Sequence, residues 1–301
     1  MQASVAVLEV SPRDGLQNEP ELLSTAQKLE LIEHALAAGC KRIEVTSFVH
    51  PKRVPQMADA EAVCANLPQR GDVAYSGLVL NRRGFERARA TGRLQEICMV
   101  VPASDTFGAR NQGQRIDESV EVGLEVLSDA RRAGLQTTAT IAVAFGCPFE
   151  GDVPLERIVS IATRLNAAEP DEVALADTIG CGVPSQVCDA FAALREALGP
   201  RVRLRAHFHN TRNTGIANAY AALGCDVATL DASIGGIGGC PFAPKATGNI
   251  ATEDLVYMLD RMRVAHGVDL ERVLTASSWL SGALGKALPS MVARAGGFPR
   301  P

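Results

Sequence analysis

Eight short apolar runs rich in β-forming residues recur along this chain, each followed by a segment with helical spacing of Leu, Ile, Val and Ala. They are Val5 to Val10, Arg42 to Thr46, Val73 to Leu78, Ile97 to Val101, Thr137 to Val143, Glu172 to Ala176, Arg203 to His207 and Val227 to Ala232. Several read as continuous apolar stretches, as strands buried on both faces of a parallel sheet require. The intervening helices are expected at Thr25 to Ala38, Pro55 to Asn66, Arg82 to Thr91, Arg115 to Ala133, Leu155 to Ala167, Pro184 to Leu198, Thr214 to Leu223 and Thr252 to Val264. Gly39, Gly134 and Gly224 stand where a glycine would cap the C-terminus of a helix, and Pro154 and Pro184 suit first helical turns. Eight β/α units fit a closed (β/α)8 TIM barrel better than an open sheet, which more often has six or seven strands. No Gly-x-Gly-x-x-Gly follows the first strand, which argues against a dinucleotide fold. A single catalytic domain over residues 1–301 is expected, with the barrel at about 3–266 and a short C-terminal helical extension at about 267–301, helical from Leu270 to Leu284.

The chain carries 34 acidic and 30 basic residues without long runs of one sign, so it offers no electrostatic footprint for nucleic acid. No apolar stretch approaches the ~20 residues of a membrane helix, and no signal sequence stands at the N-terminus. A cytoplasmic protein with a small-molecule partner, and no membrane or nucleic acid, is the expectation. The eight cysteines contain no C-x-x-C pair, so neither a structural zinc site nor a disulfide framework is indicated.

In such a barrel chemistry sits at the carboxyl ends of the strands. Strand one exits into Ser11-Pro12-Arg13-Asp14-Gly15-Leu16-Gln17, strand two into Glu44-Val45-Thr46-Ser47, strand six into Asp177-Thr178 and strand seven into His207-Phe208-His209-Asn210. Strand eight exits into Gly235-Gly236-Ile237-Gly238-Gly239-Cys240-Pro241, which closes at Gly248-Asn249. His207 and His209, two apart, project from one side of the chain and point to a divalent metal. A hard cation such as Mg2+ or Mn2+ would add oxygen ligands, for which Asp14 and Asn249 are candidates; zinc fits less well, because no cysteine shares the histidines' spacing. Arg13 offers a fork suited to a carbonyl or developing enolate oxygen, or else a structural ion pair. Glu44 and Asp177 are placed to orient Arg13, to move protons, or to cap the following helices. Gln17 and Ser47 join Arg13 as candidates for holding substrate.

These residues carry a resemblance to 3-hydroxy-3-methylglutaryl-CoA lyases. It rests on Arg13-Asp14-Gly15-Leu16-Gln17, on Glu44 to Val49 followed by Pro51-Lys52 and Val54-Pro55-Gln56-Met57, on Gly146-Cys147-Pro148-Phe149-Glu150-Gly151, on the His-x-His pair, and on the glycine-rich stretch running into Ala251 to Tyr257. In chain order it spans residues 5–290. The resemblance implies a TIM-barrel metallolyase that splits a 3-hydroxyacyl-CoA with Mg2+ or Mn2+ and no organic cofactor beyond the substrate's own CoA. It implies Asp14, His207, His209 and Asn249 as metal ligands, Arg13 as stabiliser of the product enolate, Cys240 and His207 in proton transfer, and Glu44 and Asp177 in the surrounding network. A homodimer or higher homo-oligomer is expected.

The strand-seven exit departs from that pattern. Such lyases usually read His-Cys-His-Asp-Thr-Tyr-Gly, whereas this chain reads His207-Phe208-His209-Asn210-Thr211-Arg212-Asn213. Arg212 is expected to bring charge close to the site, so a related substrate such as citramalyl-CoA stays open. Two rivals remain: an acetyl-CoA-condensing synthase, against which the Gly-Gly-Cys-Pro loop and the absence of room for a regulatory region weigh, and a noncatalytic barrel that binds metal or a CoA ester.

Overall fold

The computed structural model describes residues 2–239 and 248–299. Eight parallel strands close into a barrel in chain order: β1 Ala6–Glu9, β2 Arg42–Ser47, β3 Ala74–Val79, β4 Glu96–Pro102, β5 Gln136–Ala142, β6 Glu172–Asp177, β7 Arg203–Phe208 and β8 Thr229–Ala232. β1 pairs with both β2 and β8, so no edge is left open. The alternation read from the sequence is thus the architecture of the chain.

The helices are α1 Thr25–Ala37, α2 Ala60–Ala65, α3 Arg82–Ala90, α4 Asp105–Asn111, α5 Ile116–Arg132, α6 Leu155–Leu165, α7 Pro184–Leu198, α8 Gly215–Leu223, α9 Thr252–Met262, α10 Leu270–Leu284 and α11 Met291–Ala295. Local chemistry starts several of them. Ser24 and Gln27 form a capping box on α1, and Asn81 and Ser104 accept from the amides of Gly84 and Phe107 at the heads of α3 and α4. Pro184 opens α7, where its missing N–H costs nothing, whereas Pro154 stands just before α6 as its cap residue.

Two expectations are corrected, and two short helices were not expected. Pro55 to Asn66 is not one helix: a single tight turn, Pro55–Met57, precedes the short α2. α4 and α11 have too few residues to show a periodic pattern. Gly39 and Gly134 do take left-handed backbone, but Gly224 stays helical (φ −76°), and Asp226 supplies the positive φ two residues later.

The barrel interior is unusually polar. In its lower layer Arg42 Nη2 donates to Glu96 Oε1 (2.9 Å) and Glu172 Oε2 (2.7 Å), while Thr138 and Thr229 donate to the same carboxylates. One layer up, Arg205 grips Asp231 with two parallel bonds of 2.6 and 2.7 Å. Both residues are buried, and the pairing is what makes burial of their charges tolerable. The hydrophobic core proper lies between the strands' outer faces and the helices, with Leu31, Ile32, Val126, Leu127, Phe191 and Leu255 fully buried. α10 packs on α1 and α9, and α11 on α9.

Candidate active site

β1 runs into a wide turn, Ser11–Gly15, that sets Arg13 and Asp14 over the top of the barrel. Gly15 is needed there for close approach: a β-carbon would meet Ile237 Cγ1 and Ser233 Oγ at 2.8 Å. From β7, the strand's alternation sends His207 and His209 inward on the same side. From beyond β8, Asn249 comes back beside His209 through a bridge between the two residues, reinforced by Asn210 N–H donating to Gly248 O (2.8 Å) and Ile250 N–H to Phe208 O (3.1 Å). Residues separated by more than two hundred positions therefore meet.

Asp14, His207 and His209 are buried, with one potential ligand atom from each lying within 4.8 Å of the others. The Nε2 atoms of the two histidines are 3.1 Å apart, and Asp14 Oδ2 lies 3.3 Å from His209 Nε2 and 3.7 Å from that of His207. Asn249 Nδ2 donates to Asp14 Oδ2 (2.8 Å) and Ile237 O (3.0 Å), leaving its buried Oδ1 without a partner. Three ligand atoms converging at this range, beside an orphaned amide oxygen, fit a divalent cation. Gly238 is part of the fit, since a β-carbon there would lie 2.4 Å from Asn249 Nδ2.

Arg13 makes ion pairs with Glu44 Oε1 and with Asp14 Oδ1. Burial opposes its charge, but the two carboxylates outweigh that and raise its pKa. Asp14 is likewise penalised by burial, yet Arg13 and the two histidines hold its carboxyl well below the usual range. Glu44 Oε2 is buried and unpartnered.

Two functional residues escaped the reading of the sequence. Asp231 Oδ2 lies 3.0 Å from His207 Nδ1, and Arg205 clamps Asp231 from the other side. The hydrogen bond fixes the imidazole so that Nε2 faces Asp14, the arrangement expected of a metal-binding histidine with a carboxylate behind it. Burial disfavours the imidazolium, but Asp231 and Asp14 more than offset it, and the His207 pKa is raised. The signal was present in Arg203, Arg205, His207 and His209, which alternate along one face of β7.

A cavity of about 660 Å3 opens above these groups. Arg13, Asp14, Gln17, His207 and His209 line it, with an apolar wall of Leu78, Leu80, Val100, Phe107 and Val54 and a basic rim of His50, Arg53 and Arg110. A larger bowl of about 880 Å3 lies at the opposite end of the barrel, but its Arg42, Glu96 and Glu172 are already paired with each other. The chemistry is at the smaller one.

Not every candidate reaches the cavity. Asp177 accepts from the amides of Cys181 and Gly182 (2.9 Å each), because the pleat of β6 that turns Ala176 inward turns Asp177 outward. Ser47 is buried and lies outside the cavity lining, beyond an irregularity in the β2–β3 register. Arg212 is exposed and donates to Ile179 O (3.0 Å) and Gly180 O (2.8 Å), while Asn210 Oδ1 accepts from Gly215 N at the head of α8. Neither Asn210 nor Arg212 lines the cavity, so the charge expected close to the site from Arg212 is directed to the loop after β6 instead. Cys240 lies outside the described residues.

The HMGL-like family model matches residues 4–280. The chain belongs to the HMGL-like family. Among its relatives, (R)-citramalyl-CoA lyase of Chloroflexus aurantiacus is 44% identical over 97% of this chain and 95% of that protein. A hydroxymethylglutaryl-CoA lyase of Bacillus subtilis is 42% identical over 95% of each. Among solved structures, a Bacillus subtilis HMG-CoA lyase superposes with TM-score 0.93 at 40% identity over 98% of both chains. An HMG-CoA lyase from Acinetobacter baumannii, in complex with coenzyme A and 3-methylmalate, gives 0.93 at 36% identity over 100% of both. Membership of this family makes the chain an enzyme, a carbon–carbon lyase acting on a CoA ester. No helix among the described residues is long and apolar enough to cross a membrane.

Proposed function

We propose that this HMGL-like chain is a Mg2+- or Mn2+-dependent lyase that cleaves 3-hydroxy-3-methylglutaryl-CoA to acetyl-CoA and acetoacetate. The observation that carries the reading is the meeting of Asp14, His207 and His209 with Arg13 on the floor of one cavity. The reaction breaks the bond between C2 and C3: the C3 hydroxyl gives up its proton and becomes a ketone, and the bonding electrons pass to C2 as the enolate of acetyl-CoA, which is then protonated.

Asp14, His207, His209 and Asn249 would hold the cation. When bound it would acidify the hydroxyl and polarise the neighbouring carboxylate. Arg13, fixed by Glu44, turns its positive charge toward the thioester oxygen, where negative charge develops as the bond breaks. His207, whose Nδ1 is hydrogen-bonded to Asp231, is assigned a share in proton transfer constrained by its place among the ligands, and Cys240 is assigned the protonation of C2. Gln17 at the cavity wall is assigned substrate binding, and the basic rim of His50, Arg53 and Arg110 suits the phosphates of CoA. Ser47 and Asp177 are given supporting roles, the latter by anchoring the loop after β6. The protein would work as a homo-oligomer in the cytoplasm.

A second reading, cleavage of citramalyl-CoA to acetyl-CoA and pyruvate, is favoured by the 44% identity to the Chloroflexus lyase. A coupled assay for acetyl-CoA over a panel of 3-hydroxyacyl-CoAs, with and without Mg2+ or Mn2+ after chelation, separates the two. Release of free thiol from acetyl-CoA plus 2-keto acids, with no cleavage of any 3-hydroxyacyl-CoA, would sink both in favour of a condensing synthase.

A further inference from the structure

Outside the catalytic cavity, two free thiols face each other on the surface of the barrel's helical coat. Cys188 is exposed on the first turns of α7, and Cys225 is half-buried in the turn that follows α8. α7 and α8 pack side by side, and the Cys225 thiol lies close enough to Cys188 to feel it. The frame that brings them together is held independently. Arg195, two turns beyond Cys188 on α7, donates to Gly199 O (2.9 Å), Val202 O (2.8 Å) and Asp226 O (3.4 Å), tying α7 to the residue next to Cys225. Asp226 holds a positive φ of 58°, so the turn that carries Cys225 has a defined shape. Higher up, Thr214 Oγ1 and Asn218 Nδ2 of the α8 head both donate to Gly182 O just before α7 (3.0 and 2.9 Å), so the helices are joined on either side of the thiols. Cys40, Cys64, Cys98 and Cys147 are buried and inaccessible to a dissolved oxidant.

We propose that Cys188 and Cys225 are a thiol pair that closes to an intramolecular disulfide on exposure to a low-molecular-weight disulfide such as oxidised glutathione, stapling α7 to α8. Cys188, the exposed partner, attacks one sulfur of oxidised glutathione; that S–S bond breaks, a mixed disulfide forms on Cys188, and one glutathione leaves carrying the proton Cys188 gave up. The Cys225 sulfur then attacks the Cys188 sulfur, the mixed disulfide breaks, and the second glutathione leaves with the proton of Cys225. Two protein thiols are oxidised by two electrons, and one glutathione disulfide is reduced to two thiols. Burial and the contact with Cys188 push the Cys225 thiol up to about 11, which makes it a poor first nucleophile and leaves the opening attack to the exposed Cys188.

The test uses the full chain treated with oxidised glutathione, alkylated and mapped by peptide mass spectrometry, with thermal unfolding followed in parallel. The expected product is a chain not covalently linked to any other, with one linked peptide pair containing Cys188 and Cys225, lighter by two hydrogens. Its Tm should rise by roughly 5–10 °C, the scale expected for closing a loop of this length, and dithiothreitol should reverse the rise. Cys225→Ser should trap glutathione on Cys188, and Cys188→Ser should give no link at Cys225. Peptide mapping keeps any reaction at Cys240 separate. A stable mixed disulfide on Cys188 in the unsubstituted protein, a crosslink between two chains through Cys188, or recovery of both thiols free would each overturn the proposal.

Discussion

Glu253 at the head of α9 is buried, and both its carboxylate oxygens lie 3.0 Å from the amide of Gly235, at the base of the glycine-rich segment. Burial lifts its pKa from an ordinary 4.5 to about 7; Ser277 and the Gly235 amide pull the other way, and Glu9 adds repulsion. A raised carboxyl pKa means the protonated form stabilises the fold. That stabilisation is complete below pH 4.5 and is lost as pH rises through about 7, because the unfolded chain ionises freely while the folded one must ionise in burial. The span from 4.5 to about 7 corresponds to roughly 3 kcal/mol. Glu253→Gln keeps an acceptor for Gly235 but cannot ionise. Thermal unfolding of both proteins should show the variant gaining on the parent by roughly 5 °C in Tm between about pH 5 and about pH 8, with most of the gain before pH 7.5. A Tm difference that does not change with pH would refute the assignment of a neutral buried carboxyl, whatever its sign.

Arg13→Gln should lower kcat by about 10²–10³ with a smaller change in KM, read by steady-state kinetics, since the lost interaction is made mainly in the transition state. Asp231→Asn should weaken Mg2+ or Mn2+ binding by about 10–100-fold in calorimetric titration of metal-free protein, and should lower Tm as well, because buried Arg205 loses its bidentate partner and keeps only the more distant Glu96. Gly238→Ala faces both a φ of 121° and a clash at 2.4 Å with Asn249 Nδ2; metal affinity should fall, and unchanged affinity would remove Asn249 from the ligand set. Arg212→Tyr should leave the ratio of kcat/KM for 3-hydroxy-3-methylglutaryl-CoA and citramalyl-CoA within about threefold of the parent, a window worth under ~1 kcal/mol, because its guanidinium is engaged with the β6 loop carbonyls.

The barrel was legible in the sequence because parallel strands buried on both faces leave continuous apolar runs, and β/α alternation repeated eight times leaves little topological choice. The site was legible where reactive residues end strands: Asp14, His207, His209 and Asn249 come together as their positions at the exits imply. What the sequence concealed depends on which side of a strand a residue faces. Asp177 ends β6 as visibly as His207 approaches the end of β7, yet one pleat position turns it out of the barrel to hold Cys181 and Gly182. Asp231 sat inside an apolar run and drew no notice, although its carboxylate sets the ring of His207. The short α4 and α11 were lost because seven and five residues give less than two full turns of periodicity.

The polar interior bears on where substrate choice resides. From the bottom of the barrel upward, Arg42 is paired with Glu96 and Glu172, Arg205 with Asp231, Asp231 with His207, and Arg13 with Glu44 and Asp14. Each member of that ladder is held by another, so changing one to suit a different acyl group would leave a buried charge unmatched. The ladder is therefore poorly suited to tuning specificity. Asn210 and Arg212 of the strand-seven exit do not line the cavity and are engaged elsewhere, so they are equally ill placed to tune it. The freer positions are the apolar wall from β3 and β4, at Leu78, Leu80 and Val100, where a change of one methylene alters cavity shape without disturbing a charge. Discrimination between a glutaryl and a shorter malyl chain differs by one methylene, the kind of difference a hydrophobic wall reads at about 1–3 kcal/mol. On the function proposed above, reactivity would belong to the paired interior, and the choice between closely related 3-hydroxyacyl-CoAs to the wall beside it.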